Sequence, residues 1–315
     1  MIPTPLSCTV LICTYNRAEL LGKCLHALVV GSTEKPEQIV VVNGGDDRAD
    51  QTVKAFMGSE IDVQLVRTAN RNLAASRNVG LSYCKGDIVA MTDDDAEVPP
   101  DWVGLHKRAH EEHHEAGAIG GFVEGSNLDS LICRVAEIVT FPRWPAARYV
   151  RTLPGVNISY KRSVLSRIGL QDEALFRGED VDYNWRVKRA GYEIYFDPKI
   201  GVSHAHRTTL RGLLNQHFMY GRAYYLVRRK WPDMYCIYPH QLRTVRDVCK
   251  LVNSVASICY QPILSAFRMR SHVDKVIALP IFFGLGLSWK GGMLCEMLIQ
   301  LQSRHPRSRE SGMQA

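Results

Sequence analysis

The chain has 315 residues, 46% of them hydrophobic and 23% charged, with a formal net charge of +7. That length holds one large α/β domain with an extension, or two modest domains, and the composition is ordinary for a soluble globular protein. Nine cysteines, odd in number and without a C-x-x-C pair, suggest neither a disulfide framework nor a zinc site and fit a reducing compartment. Lys and Arg exceed Asp and Glu mostly beyond residue 204, so the last third is expected to face an anionic neighbour. A membrane surface or a lipid phosphate suits that excess better than nucleic acid.

The apolar run at residues 6–13 has no basic segment before it and leads into the polar Thr14-Tyr15-Asn16-Arg17. It therefore reads as a first strand and not as a secretory signal. Thr9 to Cys13 is continuously apolar, as expected of a parallel strand covered on both faces. Leu20, Leu21, Cys24, Leu25 and Leu28 then fall on one helical stripe. A second strand, 38–42, ends in the turn-forming Asn43-Gly44-Gly45-Asp46-Asp47. A helix at 52–57, a strand at 63–66, a helix at 73–84 and a strand ending at Met91 follow. This alternation predicts a doubly wound, mostly parallel sheet, whose ligands bind at the carboxyl ends of its strands.

Three consecutive carboxylates, Asp93-Asp94-Asp95, follow the buried-looking run Ile88-Val89-Ala90-Met91. Side by side they repel, and burying them unpaired is costly, so a hard divalent cation with oxygen ligands is one natural compensator. An exposed turn before a helix starting at Pro99 or Pro100 is the other reading. Thr14, Asn43 and Asp93 to Asp95 all stand at carboxyl ends of predicted strands, which favours a binding site. Neither G-x-G-x-x-G after the first strand nor G-x-x-x-x-G-K-[ST] is present, which disfavours a dinucleotide dehydrogenase and a P-loop enzyme.

Residues 102–116 read as a helix carrying His106, His110, His113 and His114 among Glu111, Glu112 and Glu115, a pattern taken as a solvated face more than a metal site. A strand at 118–124, a Pro- and Arg-rich loop over the cleft at 141–153, a strand at 155–160 and a helix through Leu165 come next. A second acidic cluster, Gly178-Glu179-Asp180-Val181-Asp182, opens a helix that Gly191 would end. On that placement alone Glu179 and Asp180 could simply cap the helix and complement its dipole.

The series Val10-Leu11-Ile12-Cys13-Thr14-Tyr15-Asn16-Arg17, Val40-Val41-Val42-Asn43-Gly44-Gly45, Asn72-Leu73-Ala74-Ala75-Ser76-Arg77-Asn78-Val79-Gly80, Gly86-Asp87-Ile88-Val89-Ala90-Met91-Thr92-Asp93-Asp94-Asp95, Gly155-Val156-Asn157-Ile158-Ser159 and Gly178-Glu179-Asp180 resembles the family-2 inverting glycosyltransferases of GT-A fold. The pieces stand in the family's order over roughly the first 210 residues. One departs: the family's second strand commonly ends in an Asp that contacts the base, where this chain has Asn43, which can donate as well as accept.

The resemblance implies a nucleotide-diphosphate sugar donor (UDP-, GDP- or dTDP-linked) and a divalent cation, Mg²⁺ or Mn²⁺. It assigns the donor to Thr14, Tyr15, Asn16, Arg17, Asn43, Arg77 and Asp93, with Asp93 at the ribose and Arg77 toward the diphosphate. It assigns the metal to Asp94 and Asp95, joined by His204 or His206 from an x-H-x-H run. Asp180 is the implied base, with Glu179 orienting it, and Asn157, Trp185 and Arg222 fall on the acceptor side. The implied fold is a GT-A doubly wound mixed sheet with a C-terminal helical extension. The expected division is a transferase domain at 1–210, a basic helical extension at 211–305 and a disordered tail at 306–315.

Two apolar segments in the extension, 251–267 and 276–287, are broken by Asn253, Gln261, Pro262 and Pro280 and fall short of the roughly 18 to 20 apolar residues of a spanning helix. With the many Lys and Arg around them, they read as an amphipathic or re-entrant attachment to the anionic cytoplasmic face of a membrane, a packed helical subdomain being the alternative. The function expected is transfer of a sugar to a glycan or lipid-linked acceptor in envelope or exopolysaccharide synthesis. A metal-dependent nucleotidyltransferase and a catalytically silent glycan-assembly scaffold are the competing readings.

Overall fold

The structure is a computed structural model and describes residues 5–234 and 242–304. The expected tail at 306–315 lies outside the described residues. The chain divides after His206 into two compact units.

The first unit follows the alternation read from the sequence. Strand β1 (Cys8–Thr14) leads to helix α1 (Ala18–His26), which ends in a π-helical turn, Ala27–Gly31. Then come β2 (Gln38–Asn43), α2 (Asp47–Lys54), β3 (Asp62–Arg67), α3 (Leu73–Leu81) and β4 (Ile88–Asp93). These four strands pair in parallel in the order β3-β2-β1-β4. Their registers set Thr14 opposite Asn43, and Cys13 opposite Asp93. The polar residues that end three separate strands are thereby brought to one edge.

Beyond β4 the sheet becomes mixed. The two-residue β5 (Ala96–Glu97) and helix α4 (Trp102–Glu112) precede β6 (Ala116–Gly125), α5 (Leu131–Val139), β7 (Arg148–Val150), β8 (Ile158–Lys161), α6 (Arg162–Ile168), α7 (Glu179–Arg189) and β9 (Glu193–His204). Strand β8 runs antiparallel between β4 and β6, and β9 pairs in parallel with β6. The segment expected as a loop at 141–153 supplies β7, which pairs antiparallel with β9. The strand period of two sorts the core into two faces. Val10, Ile12, Ile39, Val41 and Ile88 pack on one side with Leu25 and Trp102. Leu11, Val40, Val42, Val89 and Met91 pack on the other with Tyr160 and Tyr183.

The expectation of a solvated histidine face on α4 is corrected. His106 and His110 are buried beside Trp102 and Ala109, and the Ser159 hydroxyl lies 2.8 Å from His106 Nδ1 and 2.9 Å from His110 Nε2. Burial pushes His106 down to about 3 and His110 well below its ordinary value. Both are neutral in the folded state, whereas the unfolded chain protonates them near 6.5. Their contribution to stability is therefore complete above about pH 6.5 and declines as pH falls below it, by about 1.4 kcal/mol per pH unit for each histidine. Urea unfolding between neutral pH and about pH 5 is expected to show this loss. His106→Gln is expected to flatten the profile by one histidine's share, and an unchanged profile would contradict the assignment.

The second unit contains α8 (Leu210–Lys230), α9 (Val245–Phe267) and α10 (His272–Arg304). Thr209 caps α8, and a reciprocal box between Thr244 and Asp247 opens α9. The interruption expected at Pro280 does not occur: α10 runs through it for 33 residues. Its stretch His272–Gln302 is long and apolar enough, by length and composition, to cross a membrane. Helices α8 and α10 cross where Gly221 meets the Trp289 carbonyl and Gly292 meets that of Phe218, so a Cβ at either glycine would collide with backbone.

Candidate active site

The loop after β1, expected on the donor side, starts at Thr14. Its hydroxyl donates to Asp94 Oδ2 at 2.7 Å, and Arg17 reaches both Asp94 (3.1 Å) and Asp95 (2.7 Å). Asn16 adopts a left-handed conformation, φ 56°, which Asn tolerates better than most residues, and accepts the Asp46 N–H at 2.8 Å. Tyr15 stands half exposed at the rim.

Asn43 is fully buried, and both ends of its amide are engaged within the fold. Its oxygen accepts the Gly45 N–H at 2.7 Å, and its nitrogen donates to the Asp46 carbonyl and to Asp50 Oδ1. In this arrangement it shapes the turn after β2.

The three aspartates part company. Asp94 is buried and turned toward Thr14 and Arg17. Burial raises its pKa, and the Thr14 and Arg17 contacts work against that rise. Asp93, Asp95 and His204 bring one ligand atom each within 4.8 Å of one another. The short β5 causes this convergence. It pairs antiparallel with the end of β9, Ala96 opposite His204, and so carries His204 to the residue preceding β5. His204 Nε2 lies 3.3 Å from Asp95 Oδ1. Burial disfavours both charges, but their mutual attraction outweighs it, so His204 is raised and Asp95 is lowered from their ordinary values. Asp93 is raised by burial and by Asp95, against the pull of Arg77.

The other histidine takes a different partner. His206 Nε2 meets Glu137 Oε2 at 2.5 Å, and Glu137 also accepts the Gly125 N–H and pairs with Arg143. Burial pushes His206 down to about 4. Sequence reasoning missed Glu137, although a lone carboxylate within the apolar LICRVAEIV helix was a usable signal.

The second acidic cluster opens α7. Gly178 has φ 78°, a left-handed conformation suited to glycine, and turns the chain so that Glu179 and Asp180 fall in the first helical turn. Asp180 Oδ2 accepts the Gly155 N–H at 3.1 Å and Oδ1 accepts the Val181 N–H at 2.8 Å. Arg77, 4% exposed, joins the two acidic clusters: it donates to Glu179 Oε1 (3.1 Å), Asp93 Oδ1 (3.3 Å) and the Gly155 carbonyl (3.3 Å). Burial and the adjacent Asp180 hold Glu179 well above the usual carboxylate range in spite of Arg77. The cation expected to face a diphosphate is thus committed within the protein.

Asn157 is likewise committed. It accepts from the Trp102 indole and donates to the Phe122 and Ile200 carbonyls. Trp185 lies half buried on α7. Arg222 belongs to the second unit, where it makes a two-pronged contact with the buried Glu296 at 3.0 and 2.8 Å.

Two carboxylates and an imidazole make an oxygen-rich ligand set compatible with Mg²⁺ or Mn²⁺. His204 Nδ1, a buried atom of the set, has no hydrogen-bond partner among the described residues, and Asp95 Oδ1 faces His204 Nε2 at 3.3 Å. The residues present therefore fit a divalent cation.

The fold and this pair of acidic clusters define a GT-A glycosyltransferase. Residues 9–161, just under half of the chain, match the family model described as glycosyl transferase family 2, and the chain is a glycosyltransferase similar to members of that family. It is 26% identical to the glucosyl-dolichyl phosphate glucuronosyltransferase of Haloferax volcanii over 93% of this chain and 98% of that one. It is 27% identical to the pre-mycofactocin glycosyltransferase of Mycobacterium tuberculosis over 73% of this chain and 49% of that protein, about half its length. Among solved structures, the fold resembles a mannosyltransferase from Pyrobaculum calidifontis in complex with GDP-Man and Mn²⁺, with a TM-score of 0.66 and 17% identity over 94% of this chain and 88% of that one.

Proposed function

We propose that the chain is a metal-dependent inverting transferase that moves a sugar from a nucleoside diphosphate donor to a hydroxyl of a glycan or lipid-linked acceptor. It would work at the cytoplasmic face of a membrane. The convergence of Asp93, Asp95 and His204 opposite the Asp180 helix, with Arg77 between them, is the observation that carries this reading. The dolichyl phosphate named in the Haloferax relative supports a lipid-linked acceptor, and the apolar α10 supports the membrane. The match to the glycosyl transferase family 2 model favours the transferase over the nucleotidyltransferase and the silent scaffold.

In this proposal Asp95 and His204 would hold the cation and Asp93 would face the donor ribose. Asp94 is moved from the metal set to a positioning role on Thr14 and Arg17, and His206 from the metal set to Glu137. When bound, the cation supplies Lewis-acid stabilisation of the charge that develops on the departing diphosphate. Asp180 takes the proton of the acceptor hydroxyl as its oxygen bonds to the anomeric carbon and the bond to the diphosphate breaks on the opposite face. A carboxylate is a weak base toward a hydroxyl proton. That suffices where the transition state is oxocarbenium-like and proton removal lags behind departure of the leaving group. The backbone N–H groups of Gly155 and Val181 aim Asp180, and Arg77 keeps its helix beside the donor strands.

A thermal-shift panel of UDP-, GDP- and dTDP-sugars tests the reading, since a ligand of the native state raises apparent stability. One nucleotide class is expected to raise Tm with Mn²⁺ present and to lose the effect with a chelator. No shift with any donor contradicts the proposal.

A further inference from the structure

The second unit carries an apolar row unlike the scattered exposed side chains that any soluble surface has. Val245, Val248, Val252, Val255, Ile263 and Phe267 of α9 are each between 43 and 81% exposed. Exposed Cys259 completes their three- and four-residue steps, which place the whole row on one face of the helix. The row runs the length of α9, about 34 Å at 1.5 Å per residue. Arg246, Lys250 and Arg268 are exposed along the adjoining flank. Pro262 and Ala266, at the edge of the row away from those cations, are buried.

Helix α10 has the length to cross a bilayer, but its neighbour does not have the composition. The close glycine crossing and the buried Arg222 to Glu296 pair bind α10 to α8, which carries Arg211, Arg222, Arg228, Arg229 and Lys230. Drawing those cations into hydrocarbon is costly. A helix with an apolar row and a cationic flank instead suits the boundary between headgroups and acyl chains.

We propose that the second unit docks on an anionic lipid surface with α9 in the plane of the headgroups, its valine and phenylalanine row in the acyl boundary and Arg246, Lys250 and Arg268 against lipid phosphates. This deepens the membrane-surface reading above by naming the face that meets the lipid.

Sedimentation of the full chain with vesicles tests it. The wild type is expected to pellet with vesicles of phosphatidylglycerol and phosphatidylcholine, and less with phosphatidylcholine alone. Val252→Ser with Phe267→Ser is expected to lower partitioning about tenfold or more. Arg246→Gln with Lys250→Gln is expected to lower it roughly tenfold on anionic vesicles only, in parallel with the effect of added salt. The donor-induced Tm shift serves as a control in every variant, because the replaced side chains are exposed. Four results overturn the docking: the wild type staying in the supernatant with both vesicles; both double variants binding as the wild type does; a dimer that dissociates in the Val252 and Phe267 variant; or release from vesicles by detergent alone, which would make α10 a span. Vesicle binding without any donor-induced shift would instead strike the transferase reading and leave the docking intact.

Discussion

Replacing Asp180 by Asn is expected to lower kcat roughly 10² to 10⁴-fold, the range for loss of a general base, while leaving the affinity for donor and Mn²⁺ within about twofold. The separation follows from the contacts. Asp180 accepts two backbone N–H groups from Gly155 and Val181, and an Asn carbonyl preserves one of them. No hydrogen bond from Asp180 reaches Asp93, Asp95 or His204 among the described residues. Radiolabelled sugar transfer beside calorimetric donor binding separates the two quantities. Transfer at the wild-type rate would remove Asp180 from the mechanism. Glu179→Gln serves as the companion variant, since Glu179 touches Arg77 and is expected to act on the placement of α7.

Asp95→Asn should do the reverse. It removes a charge from the ligand set, and its predicted effect is a fall of about 100-fold in donor affinity measured with Mn²⁺. Any residual binding with chelator present is expected to be equal in the variant and the wild type. The substitution also leaves Arg17 with Asp94 as its remaining acid partner and His204 without its carboxylate. Asp94→Asn, by contrast, disturbs a buried hydrogen bond to Thr14 and is expected to weaken the donor loop and overall stability together. Equal donor affinity for wild type and Asp95→Asn in the presence of Mn²⁺ would contradict the division of labour between these neighbours.

Much of the frame could be read from local pattern. Continuous apolar runs such as Val40-Val41-Val42 marked strands covered on both faces, and the polar residues after them marked the carboxyl edge. The pairing of β5 with β9 could not be read this way, because a two-residue strand leaves no periodic trace. It is that ladder which selects His204 over His206 to meet Asp95. Asn43 and Asn157 looked available as ligand contacts because a side chain's internal partners are set by distant backbone, here Asp46 and Ile200 among others. Arg77, assigned by resemblance toward the diphosphate, is instead buried among internal acceptors. The small residues around it, Ala74, Ala75 and Ser76, were the available sign of a helix packed tightly enough to bury it. On α4 the acidic neighbours concealed the recurrence of Trp102, His106, Ala109 and His110 at helical spacing, which is the buried stripe.

The helical unit shows the same limit from the other side. Counting only residues 276–287 and treating Pro280 as a break made the segment too short, because a proline removes one hydrogen bond and need not end a helix that packs along a neighbour. The reciprocal cap at Thr244 and Asp247 was legible in principle, as a Thr with an acid three residues on ahead of an apolar run.

Anomalous scattering from a crystal grown with Mn²⁺ and a nucleoside diphosphate sugar tests the central claim most directly. The account predicts a single manganese peak ligated by Asp95 and His204, with Asp93 beside it and the diphosphate completing the coordination. A diphosphate bound in the cleft with no manganese there, or manganese ligated by Asp94 and His206, would contradict it.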